Sequence, residues 1–411
     1  SSIRFRWDPN NIVGSVWRPA SQTKGPLNLL SSEFRMPKLL RTSLAVDKKF
    51  SDGWSATIEG IFSKNINEID YTNIGILPPI GVSLGPGSRN VYAFASSSSA
   101  APVPIRSNGT NPYDNEILVS NNDRDQKGFA YNFALTVDKK TTTGFNFSVS
   151  YAFGNSLVLN EGTSSVNLSQ WRFMETVNGR NYIQRSISDF SQGHRIFALL
   201  SKKFTYANKA MSTTVSLVYT GQSGTPFSYV YGTQSMTRDD GSSGGNDLIY
   251  IPTASELQSQ IFLNNTVGSV TYNDVQQKAA LETYIQKDPY LSKNRGKFAE
   301  RNGGRLPFSN IVDLKIAQDF NIKISGHRYQ FQLTWDVYNF TNFLNRDWGR
   351  SYFAGSDQFS LIGFAGYVSA TNLTPQYRFN PTITKPWNYN NSVTPAYANR
   401  WVSQIGLRFN F

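Results

Sequence analysis

Three features of the sequence predict an all-β fold, specifically a transmembrane antiparallel β-barrel. Apolar and polar residues alternate over membrane-spanning lengths, short polar turns alternate with long connections, and the chain ends in an aromatic strand. The alternation is clearest in that strand, where one side carries Trp401, Ile405, Leu407, Phe409 and Phe411 and the other carries Gln404, Gly406, Arg408 and Asn410. A period of two indicates one apolar and one polar face, and polar residues within long strands are typical of a water-filled lumen.

The connections between the alternating segments predict how the strands are arranged. Short polar turns lie at 48–52, 139–143, 206–209 and 321–325, and long connections occupy about 71–126, 161–189, 224–308 and 342–398. Outer-membrane barrels have short periplasmic turns and long extracellular loops. We therefore predict a periplasmic carboxyl terminus and nine strands near 34–47, 53–70, 127–139, 144–160, 190–204, 211–223, 309–320, 326–341 and 399–411.

Nine is an unusual number of strands for such a barrel. Bacterial single-chain barrels normally have an even number, and an open sheet edge in lipid would leave N–H and C=O groups without partners. Residues 1–33 resemble an extracellular loop that follows an earlier strand. We therefore expect residues 34–411 to be the carboxyl-terminal part of a larger barrel, completed by further strands from an upstream portion or another chain.

Composition narrows the possible classes of protein. Only 17% of residues are charged, 14% are aromatic, and no cysteine is present to form disulfides or to act as a thiolate. The net charge of +12 is dispersed among apolar residues, so we expect membrane lipid and lipopolysaccharide phosphates as its partners, and no nucleic acid. There is no cysteine nucleophile and no paired-histidine zinc motif, so we do not predict an enzyme.

Two long connections have features of their own. Residues 274–287 read as a short amphipathic helix that begins at an Asp cap. Residues 93–106 are rich in Ser, Ala and Pro and read as a flexible loop tip.

Several segments, taken in order, resemble the Oar-like branch of TonB-dependent outer-membrane receptors, which carry a carboxypeptidase-regulatory-like domain at the amino end. The matching segments are Phe34-Arg-Met-Pro37, Arg41-Thr-Ser-Leu-Ala-Val-Asp47, the stretch 186–195, Gly221-Gln-Ser-Gly-Thr-Pro-Phe-Ser-Tyr229, Asn246-Asp-Leu-Ile-Tyr-Ile-Pro252, Asp288-Pro-Tyr-Leu-Ser292, Arg301-Asn-Gly-Gly-Arg305 and Asp336-Val-Tyr-Asn-Phe-Thr-Asn342. The terminal aromatics Phe409 and Phe411 also resemble the signal that the barrel assembly machinery reads.

The resemblance implies a 22-stranded barrel with a plugged lumen, of which this chain supplies about the last nine strands. It also implies ligand capture by the extracellular loops and uptake of a nutrient driven by TonB in a Gram-negative bacterium. TonB would act through an upstream plug, which this sequence does not contain. A surface lipoprotein is a further partner that the resemblance suggests.

Loop aromatics and arginines are the candidate ligand-binding residues. An aromatic ring on a long loop can contact a ligand or can pack into a small core of the loop itself. A basic residue near the barrel mouth can grip an anionic ligand or join an ion-pair lattice. The candidates are Trp171, Phe173, Tyr229, Tyr231, Trp348, Tyr352, Arg301 and Arg305.

The stretch 238–247 is a candidate calcium site. Asp239, Asp240 and Asp247 lie among glycines, and clustered carboxylates on a flexible loop can ligate Ca²⁺. The spacing does not match an EF-hand, and the same residue types form ordinary turns.

Two functions therefore compete. The first is the wall and ligand-capturing loops of a TonB-dependent transporter. The second is a non-transporting barrel that serves adhesion, secretion or the scaffolding of a surface complex.

Overall fold

The computed structural model describes residues 26–94, 115–123, 126–240, 245–324, 327–388 and 399–410. Its largest sheet has ten strands, and nine of them follow one another in chain order. These are β1 (Lys38–Lys49), β2 (Trp54–Asn67), β3 (Phe129–Lys140), β4 (Phe145–Val158), β5 (Gly193–Tyr206), β6 (Met211–Gln222), β7 (Ser309–Ile324), β8 (His327–Tyr338) and β9 (Val402–Asn410). Each pairs antiparallel with the next.

The observed strands overlap all nine predicted ones. β1 and β2, β3 and β4, β5 and β6, and β7 and β8 are joined by short turns at one end of the sheet, here called the turn end. The opposite end, here called the loop end, carries the long connections. The tenth strand, Ser186–Ile187, lies at the loop end and pairs with β4. A closed barrel is not observed, because β1 and β9 are the edges of the sheet and have no further partner strand among the described residues.

The two faces of the sheet differ sharply in chemistry. Cross-strand neighbours on one face, here called the apolar face, include Val46, Ile58, Leu135, Tyr151 and Ile196. All Asp and Glu residues of the nine strands fall on the other face, here called the polar face: Asp47, Glu59, Asp138, Asp313, Asp319 and Asp336. Such a partition is what a wall between lipid and water requires.

Side chains on the polar face bond to one another across the strands. The Lys315 Nζ lies 2.8 Å from Asp336 Oδ1 on the neighbouring strand. Asp319 accepts hydrogen bonds from Ser212 at 3.1 Å and from Gln332 at 2.7 Å. These contacts satisfy the wall's polar groups without lipid.

The long connections fold over the loop end into a unit here called the cap. Its helices are α1 (Asn167–Arg172), α2 (Ala254–Ser259), α3 (Asp274–Lys287) and α4 (Phe340–Leu344). Short 3₁₀ turns occupy Arg180–Tyr182, Leu291–Lys293 and Gly355–Asp357 in the cap and Ser51–Gly53 at the turn end. Among the described residues, no helix is long and apolar enough to cross a membrane.

Small sheets join connections that are distant in sequence. A five-stranded sheet has the order Ile261–Phe262, Pro375–Phe379, Gln358–Tyr367, Pro226–Gly232 and Gly304–Arg305. A three-stranded sheet has the order Leu27–Leu30, Glu116–Asn121 and Ile69–Asn73. The remaining strands pair in twos: Gly81–Val82 with Asn90–Val91, Tyr250–Ile251 with Lys297–Phe298, and Asn265–Val267 with Val270–Tyr272.

The predicted helix is confirmed, but its predicted cap is wrong by one residue. The N-cap is Asn273, whose side chain accepts a 3.0 Å hydrogen bond from the Gln276 backbone N–H, and the Gln276 side chain accepts one from the Asn273 N–H in return. This capping box satisfies two helix-terminal donors. Most of the predicted loop tip at 93–106, and residues 1–25 of the predicted amino-terminal loop, lie outside the described residues.

Candidate functional site

The cap has a hydrophobic core of its own. Tyr229 and Tyr231 are each 1% exposed, and Tyr231 stacks on Tyr377 with 5.6 Å between ring centroids. Ile249, Ile251 and Leu291 belong to the same core. The segments 221–229, 246–252, 288–292 and 301–305, which carry part of the family resemblance, therefore build one folded unit. Tyr229 and Tyr231, both predicted as ligand contacts, belong to this core, and Tyr229 also borders the cavity described next.

A cavity of about 550 Å³ opens beside this core. Its lining combines aromatic rings with a few polar and charged groups: Phe227, Tyr229, Asp288, Pro289, Tyr290, Lys293, Asn294, Gly303, Gly304, Arg305, Pro307 and Trp387. Mostly apolar walls with a small number of polar groups are typical of a small-molecule site. Two residues from the sequence prediction, Tyr229 and Arg305, lie in this lining.

Asp288 organises one wall of the cavity. It follows α3, and its carboxylate accepts the Tyr229 hydroxyl at 2.5 Å and the backbone N–H groups of Tyr290 and Leu291 at 2.9 and 2.8 Å. These bonds place the Tyr290 ring parallel to Tyr229, with an interplanar angle of 5° and 6.1 Å between centroids. Burial raises the pKa of the Tyr290 hydroxyl to about 12, so it stays protonated at neutral pH.

Two consecutive glycines allow the opposite wall to approach closely. A Cβ on Gly303 would lie 2.3 Å from the Tyr290 ring, and a Cβ on Gly304 would lie 2.7 Å from Phe227. Any side chain at either position would collide with an aromatic ring. The Gly-Gly pair is therefore required by packing beside the cavity.

Arg305 and Arg301 have different surroundings. Arg305 is half-buried and donates to the carbonyls of Ser191 at 3.2 Å and Gly224 at 3.0 Å. Arg301 is 2% exposed and donates to the carbonyls of Leu159 and Val158, both at 2.8 Å. Arg301, predicted as a binding residue, therefore fixes the connection after β4 through its carbonyls and does not line the cavity.

Buried carboxylates surround Arg301. Glu161 Oε1 lies 3.9 Å from its guanidinium, and Glu175 accepts a 2.8 Å hydrogen bond from Gln358. Burial raises the pKa of both Glu161 and Glu175, although the positive charge of Arg301 opposes that shift. Asp189 belongs to the same region and accepts a 2.6 Å bond from Asn302.

The predicted calcium ligands are engaged by arginines and backbone. Asp239 pairs with Arg180, and Asp240 lies 2.6 Å from the Arg172 Nε. Asp247 accepts the Met236 N–H and the Thr237 hydroxyl, both at 2.7 Å. Within the described ranges, which omit 241–244, no group of three or more His, Cys, Asp or Glu residues could hold a metal ion. The structure thus favours a structural role for these carboxylates, because arginine charges already compensate Asp239 and Asp240.

The other candidate aromatics divide between core and surface. Trp171 is 1% exposed, packs with Tyr71 and Ile117, and donates its indole N–H to Asn181 at 2.8 Å, which places it in a small core of the cap. Phe173 and Trp348 are 62% and 54% exposed and stay candidates. Tyr352 lies edge-to-face on Trp387 at 6.2 Å, and it lines a second cavity of about 280 Å³ with Trp348.

The terminal aromatics occupy the last strand of the sheet. Phe409 pairs in register with Phe331 and stacks on Tyr329 at 6.0 Å between centroids. Phe411, the second residue of the predicted assembly signal, lies outside the described residues.

Sequence reasoning missed several residues of the larger cavity. Asp288, Tyr290 and Trp387 were not predicted as site residues, although Asp288 and Tyr290 lie in a segment that carries the resemblance. The signal that could have identified them is a carboxylate directly after a predicted helix, followed by Pro and Tyr. A carboxylate in that position can accept hydrogen bonds from backbone N–H groups of the following loop.

Comparison with family models gives one assignment. Residues 9–371 match a family described as an outer membrane beta barrel domain. No curated protein and no solved structure matches the chain. The match spans β1 to β8 and most of the cap, and it indicates an outer-membrane location. The two-faced antiparallel sheet agrees with it, and the chain belongs to the outer membrane β-barrel domain family.

Proposed function

We propose that this chain forms part of the wall and the ligand-capturing cap of a TonB-dependent outer-membrane transporter of the Oar-like branch. In this proposal the turn end faces the periplasm, and the cap faces the medium and receives an unknown nutrient. The observation that carries the proposal is the combination of a membrane-type sheet with a folded cap built from the segments that resemble that branch.

The dimensions of the apolar face support a membrane wall. On β2 this face runs from Trp54 to Lys64, a distance of about 34 Å along the strand. At the usual tilt of barrel strands this corresponds to about 26 Å along the membrane normal, close to the apolar band of such barrels. Trp54 and Trp335, 42% and 43% exposed on this face, are candidates for the aromatic girdles at its borders.

The edges of the sheet support assembly with further strands. In lipid, the unpaired N–H and C=O groups of β1 and β9 require partners. We propose that additional strands of a larger barrel provide them, and that the barrel assembly machinery recognises the strand containing Phe409. Lipopolysaccharide and a surface lipoprotein are the further partners that this location suggests.

The cap supports a role in ligand capture. Its cavity presents the paired rings of Tyr229 and Tyr290 together with Arg305, Lys293 and Trp387. Because Asp288 and the Gly303-Gly304 pair fix the walls, the cavity is preorganised for a small ligand.

The decisive experiment measures binding of the soluble carboxyl-terminal domain of TonB to the full-length protein purified in detergent. The transporter proposal expects saturable binding that is lost when the plug segment is removed. If the full-length protein shows no binding at any TonB concentration, the transporter proposal is wrong. The alternative of a non-transporting scaffold barrel, which the long loops also suit, would then be favoured.

The orientation needs a separate test. A protease site inserted at residues 241–244, in the connection between β6 and β7, should be cleaved in intact cells, and one placed in the turn between β5 and β6 should be cleaved only after the outer membrane is opened. The reverse pattern would contradict the proposed topology.

A further inference from the structure

The turn end of the sheet carries a row of lysines on its apolar face. Lys48, Lys139 and Lys202 lie near the ends of β1, β3 and β5 and belong to the same face as Trp54 and Ile58. Neighbouring strands are about 4.8 Å apart, and each lysine is shifted by two residues along the strand relative to the next, so lysines on alternate strands are about 12 Å apart. We call these three residues the lysine row.

The ammonium groups of Lys139 and Lys202 point toward the turns. Lys139 donates to the Asp52 carbonyl in the turn after β1, and its Nζ lies 4.9 Å from the centroid of the Trp54 ring. Lys202 donates to the Thr143 carbonyl in the turn after β3 at 2.9 Å, and its Nζ lies 5.9 Å from the Phe204 ring. Lysines at membrane borders extend in this way, with their aliphatic stems on apolar surface and their charges in the headgroup region.

No carboxylate of the nine strands shares the face of the row, and Asp52 lies in the turn beside Lys139. Every Asp and Glu of the nine strands lies on the polar face, so a phosphate arriving from the apolar side meets three cations and no anion of the wall. Each ammonium group has three donors, and Lys139 and Lys202 each donate one to a turn carbonyl, which leaves two for phosphate oxygens.

We propose that the lysine row binds the phosphate headgroups of anionic phospholipids in the periplasmic leaflet. This inference rests on the orientation given under the proposed function, in which the turn end faces the periplasm. The spacing places about one lipid headgroup against each lysine, and the adjacent rings of Trp54 and Phe204 contact the acyl-chain boundary. The row would hold a phospholipid layer at the base of the wall and fix its depth in the membrane.

The test uses the delipidated full-length protein and native mass spectrometry with dioleoylphosphatidylglycerol as the probe. Replacing all three lysines, in the variant K48Q/K139Q/K202Q, should weaken phosphatidylglycerol binding at least tenfold, since one basic residue near a membrane surface contributes about fivefold. The charge-preserving variant K48R/K139R/K202R should retain binding. The matched control K49Q/K140Q/K203Q removes the same charge from adjacent positions on the polar face and should also retain it.

The possible outcomes distinguish failure of the lysine-row proposal from failure of the proposed transport function. Equal loss of phosphatidylglycerol binding in both glutamine variants would overturn the proposal, because it would show a general effect of charge. Preference of the lysine row for lipid A over phosphatidylglycerol would also overturn it and would contradict the orientation. Failure of TonB binding with an intact lysine-row effect would instead refute only the transport function. Heat-dependent gel mobility of each variant verifies that its barrel is folded.

Discussion

The buried pair of Arg180 and Asp239 gives the sharpest test of how the cap is held together. Their side chains are 3% and 1% exposed, and the pair joins the connection after β4 to the connection after β6. Asp239→Asn would leave the guanidinium buried without its principal counter-charge. Removing one partner of a buried ion pair costs about 3–5 kcal/mol. We expect the lower end, about 3 kcal/mol, since Asp240 and Asp247 also favour the charged form of Arg180.

Hydrogen exchange can measure this loss locally. The Thr176 N–H donates to the Asn246 carbonyl and the Leu248 N–H donates to the Thr176 carbonyl, both at 2.9 Å, so these amides report whether the two connections separate. A loss of about 3 kcal/mol corresponds to exchange about a hundredfold faster at these amides. Amides in β2 and β3 should be unchanged, because the wall does not depend on this pair.

Two variants serve as controls for the pair. Asp240→Asn should have a smaller effect, because its partner Arg172 is 27% exposed and can be solvated by water. The double variant R180M/D239L removes both charges and should recover much of the lost protection. If D239N exchanges like the wild type, the ion pair does not stabilise the cap. If a calcium chelator accelerates exchange in the wild type, a cation supports this region and the arginine-based explanation is wrong.

Three further predictions concern the cap and the wall. Burial raises the pKa of Glu175, so the stability that its protonated carboxyl contributes is complete below the ordinary pKa of 4.5 and is lost as the pH rises through the raised value. The melting temperature of the cap should therefore fall between pH 5 and pH 7.5, and Glu175→Gln should make this fall smaller. An equal fall in the wild type and the variant would contradict the prediction. Gly303→Ala should lower that melting temperature by the equivalent of about 1–3 kcal/mol through its clash with Tyr290, whereas Gly355→Ala, whose added Cβ meets nothing within 4 Å, should not. Ile58→Arg on the apolar face should cost about 2–4 kcal/mol and reduce the yield of folded barrel, while Thr57→Arg on the polar face should be tolerated; equal yields of the two would show that the faces are wrongly assigned.

The wall could be predicted from the sequence because its determinant is local. A period of two in polarity is present wherever a strand separates two environments, and segments such as 328–337 display it without any knowledge of their neighbours. Strand ends were less accurate, because they depend on where pairing stops. β7 extends to Ile324, beyond the predicted end at 320, because its partner β8 continues the ladder.

The cap could not be predicted to the same depth. The residue types were recognised, but burial of Tyr229 and Tyr231 depends on the parallel pairing of Pro226–Gly232 with Gln358–Tyr367, more than a hundred residues away. No local pattern encodes such a contact. For the same reason, the arginine partners of Asp239 and Asp240 were not foreseen, and the carboxylates resembled a cation site.

The order of the wall strands has a consequence for how any complete barrel is assembled. β1 and β9 both run from the loop end to the turn end, because antiparallel neighbours reverse direction at every step. These two edges therefore cannot pair with each other in the antiparallel sense. Only an odd number of additional strands, starting and finishing with ones that run toward the loop end, can join them into a continuous antiparallel cylinder.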